Sequence, residues 1–150
     1  MGEKMYKARE IADWFIGRAI QDVNENGGEY MSHLKLQKLL YFAQGCYSAM
    51  EGEPLFAEKI YNWTHGPVVA DLYPEFKSYK DRGINRCRSV FIDKHTEAIL
   101  EEVYQVFGQY SAWALRNITH NQDPWKNTTL HQEIPLSLIT EYFKDNIVTE

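Results

Sequence analysis

Leu34-Lys35-Leu36-Gln37-Lys38-Leu39-Leu40-Tyr41-Phe42-Ala43-Gln44 is the run that decides the fold. Leu36, Leu39, Leu40, Ala43 and Tyr47 fall on one helical face, while Leu34, Tyr41, Phe42 and Cys46 occupy much of the remainder. A helix so apolar around its circumference belongs in the middle of a fold rather than on its surface. Ser32 offers the N-cap oxygen, and Glu51-Gly52-Glu53-Pro54 reads as a turn, so a helix is predicted over His33 to Met50. Its polar face shrinks to Lys35, Lys38, Gln44 and Ser48.

Working outward, Ala8 to Asn26 carries Ile11, Phe15 and Ala19 four apart beside a row of Ala12, Ile16, Ile20 and Val23, which predicts a first helix stopped at Gly27-Gly28. On the other side, Ile60-Tyr61-Asn62-Trp63 has the aromatic and β-branched character of a short strand. Gly66-Pro67 reads as the start of a helix over Val68 to Tyr79, with Val69, Leu72, Tyr73 and Phe76 inward and a break at Pro74. Lys80 to Asp93 is a polar connection in which Ser89-Val90-Phe91-Ile92 suggests a second short strand. Asp93 and Ser111 are N-caps for helices over Lys94 to Gln109 and onward to Ile118. A polar stretch broken by Pro124 leads to a last helix, Leu136 to Asn146. The expectation is a mainly α fold: residues 1–150 as one helical domain of about five to seven helices, with at most a small two-stranded β element.

The totals bound the function. With 21 acidic and 16 basic residues the net charge is −5, and the longest basic cluster, Arg82 to Arg88, is diluted by Gly83, Ile84 and Asn85. Phosphate contacts dominate nucleic-acid affinity, so direct binding to nucleic acid is not expected. Cys46 and Cys87 form no metal or redox motif, no stretch is long and apolar enough to span a membrane, and Met1-Gly2-Glu3-Lys4-Met5-Tyr6 has no apolar signal run. A reducing, cytoplasmic setting follows.

Catalytic constellations are missing. The histidines His33, His65, His95, His120 and His131 make no H-E-x-x-H pair, and no nucleophile elbow or phosphate-cradling glycine loop is present. The one metal-enzyme alternative is His120 with Asp123, joined by a distant ligand such as His65; a loop histidine bonded to backbone explains the same residues. No cofactor is implied. Ten tyrosines and four tryptophans exceed what a core requires and point to protein binding, since aromatics anchor interfaces with few rotamers to freeze. The same content allows a homodimer, although no heptad seam supports one.

Three pieces of sequence, in order, carry a resemblance. They are Leu36, Lys38, Leu39, Leu40, Tyr41 and Gln44; then Pro54-Leu55-Phe56 with Trp63-Thr64-His65-Gly66-Pro67-Val68-Val69, Leu72, Tyr73 and Phe76; then Leu115-Arg116-Asn117-Ile118-Thr119-His120 with Pro124-Trp125. Together they resemble the SocA-like, phage-associated family, also called the Panacea antitoxin domain, from about Ile11 to Trp125. The resemblance implies a non-enzymatic, prophage-encoded antitoxin that binds and neutralises a cognate toxin, in one characterised type as an adaptor to the ClpXP protease. The alternative it leaves is a phage protein that redirects a host factor. It gives no support to myristoylation at Gly2. The motif residues are read as scaffold or partner-binding positions: the leucines packing the central helix, Gly66 permitting close approach, and Thr119, His120 and Trp125 locking the late loop. Toxin contacts are expected on surface that includes Lys80 to Ile92.

Overall fold

The described residues, 5–80 and 82–148 of the computed structural model, form seven α-helices and one antiparallel hairpin. The N-terminal segment around Gly2 lies outside the described residues. Helix α1 (Ala8–Asn26) and helix α2 (His33–Glu51) are followed by β1 (Ile60–Trp63) and β2 (Gly66–Val69). A 3₁₀ turn at Ala70–Leu72, the short helix α3 (Tyr73–Phe76) and a second 3₁₀ turn at Lys77–Tyr79 come next. Then follow α4 (Lys94–Phe107), α5 (Ala112–His120), α6 (Asp123–Lys126) and α7 (Leu136–Asn146). The fold is mainly α with a small β element, as the periodicities predict.

Helix α2 is the centre. Leu36, Leu39, Leu40, Tyr41, Phe42 and Ala43 are wholly buried, and α1, α4, α5, α7 and β2 all pack on it. Its start is capped as expected, with Lys35 N–H donating to Ser32 Oγ at 3.2 Å. Asp93 and Ser111 cap α4 and α5 in the same way, through Thr96 N–H at 2.8 Å and Ala114 N–H at 3.1 Å.

Three local expectations are overturned. The polar residues of α2 do not face water: Lys38, Gln44 and Ser48 are buried, because each serves a neighbouring element. Gln44 Oε1 accepts from Leu55 N–H at 2.8 Å while its Nε2 donates to Phe56 O at 2.8 Å, pinning the segment after α2 to the helix. Gly66-Pro67 does not open a helix. Residues 66–69 pair instead with β1 in the register Ile60↔Val69 to Trp63↔Gly66, and helical backbone starts only after Val69. The reason is tertiary, since Gln37 of α2 closes the other edge of β2, its Oε1 accepting from Val69 N–H at 2.8 Å.

Ser89-Val90-Phe91-Ile92 is not a strand. The outer edge of β1 is already occupied by residues 131–134, where Asn62 N–H donates to Gln132 O at 2.9 Å and Ile134 N–H to Ile60 O at 2.8 Å. The segment is held by other means: Ile84 is buried with its N–H on Met31 O at 2.8 Å, and Arg88 N–H donates to Asp13 Oδ1 at 3.2 Å. Phe91 is left 79% exposed.

Candidate functional site

The hairpin turn at Thr64 and His65, the N-terminal end of α2 and the turns around α3 enclose an open groove of about 1080 Å³. Trp63, Tyr73, Val68 and Leu34 give it apolar walls, His33, Gln37 and His65 give polar edges, and Lys77, Lys80 and His131 stand around it. The aromatic walls are ordered by ring contacts. Tyr73 meets Trp63 edge-on at 5.0 Å and lies 4.9 Å from the His33 ring. Tyr73 is therefore not a core residue as its spacing suggests; it is 37% exposed and faces the groove.

His33 and Gln37, one helical turn apart, form the inner edge. The Gln37 amide lies 3.0 Å from His33 Nε2 and also spans to β2, so one side chain links the groove wall to the sheet edge. Burial and the nearby Lys38 charge push the His33 imidazole down to about 4, leaving it neutral near pH 7. A neutral ring presents an apolar face to Tyr73.

Behind the hairpin the remaining motif residues meet. Lys38, fully buried, donates its Nζ to Pro67 O at 2.9 Å. Gly66 stands at φ +113°, and a Cβ there would lie 2.7 Å from Lys38 Cε and 2.9 Å from Thr119 Oγ1. Thr119 is itself buried, its hydroxyl donating to Arg116 O at 2.8 Å. His120 stacks on Trp125 at 3.8 Å, and Trp125 Nε1–H donates to Trp63 O at 3.1 Å, which ties α6 to the strand that carries the groove wall. Pro124 is buried in the first turn of α6. Burial and the Arg116 charge lower the His120 pKa.

Gly66→Ala tests this arrangement. Lys38 and Thr119 are both fully buried, and the backbone conformation disfavours any L side chain. The expected cost is about 2–3 kcal/mol, combining backbone strain with overpacking. Chemical denaturation with an unchanged m-value would register it; a loss under about 0.5 kcal/mol would contradict the close approach.

The structure thus divides the motif. Leu36, Leu39, Leu40, Tyr41, Leu72 and Phe76 are core; Lys38, Gln44, Gly66, Pro67 and Thr119 are buried joints; Trp63, His65, Val68 and Tyr73 line the groove. The sequence alone did not single out Gln37 or Lys77; it placed His33 only among the histidines and Lys80 only at the start of the expected contact surface. The i, i+4 spacing of His33 and Gln37 was the available signal, because it places both on one helical face. Arg116 and Trp113 also assemble beside His65. The guanidinium lies 4.4 Å from the centre of the Trp113 ring, and its Nε–H reaches His65 Nδ1 at 3.3 Å. His120, Asp123 and His65 do not converge: among the described residues no group of three or more His, Cys, Asp or Glu side chains is placed to hold a metal ion. No described helix is long and apolar enough to cross a membrane.

Comparison with curated proteins and with solved structures returns no match. A protein-family model does match, that of the antitoxin SocA-like, Panacea domain, over residues 36–126. That span opens inside α2 and closes at the end of α6, so it holds the hairpin, the groove walls of Trp63, His65, Val68 and Tyr73, and the joints at Lys38, Gly66 and Thr119. Covering more than half of the sequence, it shows that the chain belongs to the SocA-like antitoxin family of Panacea domains.

Proposed function

We propose that the chain, residues 1–150 as a single Panacea-type domain, is the antitoxin of a prophage-borne toxin–antitoxin pair. It binds its cognate toxin protein directly in the cytoplasm and neutralises it by covering a toxin surface, without catalysis. Delivery of the bound toxin to the ClpXP protease is the second stage of the same reading.

The observation that carries it is the family match, whose motif residues build an open, aromatic-walled groove rather than a cluster of catalytic groups. Exposed aromatic surface of this kind suits protein recognition. The net charge of −5 disfavours a phosphate backbone as the target.

The test is coexpression. The small gene adjacent to this one is induced in a bacterial host with and without this protein, and survivors are counted. Killing by the neighbour and rescue by this chain are expected; a neighbour that is harmless and does not bind the chain overturns the reading. If rescue persists in a host lacking ClpX, neutralisation is by binding alone.

A further inference from the structure

We propose that the groove between α2, the hairpin and the α3 turns receives an extended segment of a protein partner that carries carboxylates beside a large apolar side chain. The inference rests on the antitoxin reading only for who the partner is; the chemistry of the segment comes from the groove itself.

Size comes first. At about 1080 Å³ the groove reaches the upper limit of small-molecule sites, roughly 300–1,000 Å³, and it is open to solvent. Its walls are apolar where Trp63, Tyr73 and Val68 meet, which suits one large apolar side chain.

Charge decides the rest. The chain carries an excess of acid, net −5, yet no carboxylate lines the groove among the described residues, while Lys77 and Lys80 both do. Both lysines are exposed, and neither has a carboxylate partner among the described residues. The turn that presents them is closed by Lys80 N–H on Lys77 O at 3.0 Å, with Lys80 at φ +54°. A local positive rim on a negative molecule attracts acidic groups to the groove. Two lysines do not make the phosphate-tracking stripe that nucleic acid needs, so the partner is protein.

The mode of binding is also constrained. A partner segment cannot join the sheet, because the outer edge of β1 is paired with residues 131–134 and Gln37 and Lys38 occupy the edge of β2. Recognition must therefore go through side chains, and the side-chain preference becomes measurable.

The experiment selects random displayed peptides on the purified full chain, then measures a synthetic peptide of the enriched type against Lys77→Glu/Lys80→Glu and Tyr73→Ala variants. All three positions are exposed, and thermal melts confirm that the variants fold. The expected result is enrichment of Asp or Glu next to Leu, Phe or Trp. Binding should weaken at least about tenfold in each variant and, for the wild type, with rising salt. Peptides without acidic enrichment, or binding indifferent to both variants, overturn the proposal. So does a concentration-dependent dimer dissolved by Lys77→Glu/Lys80→Glu, which assigns the groove to a second copy. The selection uses no toxin, so its failure leaves a successful rescue standing, and a failed rescue leaves the peptide preference readable.

Discussion

Phe143→Ala is expected to cost about 4 kcal/mol, the range for truncating a fully buried phenylalanine being roughly 3–5 kcal/mol. The ring is wholly buried and meets Tyr41 edge-on at 5.4 Å and Phe42 at 5.9 Å. It also fills the notch left by Gly45 on α2, where a Cβ would stand 2.6 Å from three of its ring carbons. That fit gives the truncation little chance of healing by collapse, because α2 offers no side chain at that point to fill the void. A fall in melting temperature of about 10 °C follows for a chain of this size. Helix α7 lies outside the matched residues 36–126 and does not line the groove. The variant should therefore lose stability while retaining peptide binding at temperatures where it is folded. A loss below about 2 kcal/mol would show that α7 contributes little to the core.

A second large effect is expected from Lys38 as pH changes. Its amine is buried, has Pro67 O as its hydrogen-bond partner, and is pushed down to about 7 by burial and by the Arg116 charge. The unfolded chain holds that proton up to about pH 10.5. Between about pH 7 and 10.5 the unfolded state thus binds more protons than the folded one, and stability contributed by this site rises with pH. The destabilisation is full below about pH 7 and is relieved as pH climbs, by roughly 2 kcal/mol between pH 7 and 9.

Other groups oppose it at the alkaline end. Burial pushes the Cys46 thiol up to about 12 and raises the Tyr41 hydroxyl, so both lose stability as the unfolded forms ionise. The comparison with Lys38→Met isolates the lysine. The methionine variant removes the buried charge but strands the Pro67 carbonyl, at about 1–3 kcal/mol. It should be more stable than the wild type at pH 6, with the advantage shrinking by roughly 2 kcal/mol from pH 7 to 9. Parallel denaturation profiles for the two proteins would show that Lys38 titrates normally.

The sequence by itself determined most helices, because their signals are local. The apolar periodicity marks α1 and α7, Gly27-Gly28 stops α1, and Ser32, Asp93 and Ser111 each offer a cap oxygen to the helix that follows. The centrality of α2 was legible from its composition, and the family from the order of three motif pieces.

Only the tertiary structure decided the hairpin, the buried lysine and the groove. Gly66-Pro67-Val68-Val69 is locally a credible helix start, and becomes a strand because β1 and the Gln37 amide together satisfy its backbone. Lys38 is locally a surface residue, and is buried because Pro67 O and the side-chain-free Gly66 leave room for its stem. Ser89-Val90-Phe91-Ile92 has strand composition but no free edge to join. Tyr73, Lys77 and Lys80 become one surface with His33 and Trp63 only when the α3 turns fold back on α2. Periodicity and capping act within a few residues and can be read from a string; pairing of buried polar groups depends on which distant partner arrives, and that is settled only in the folded chain.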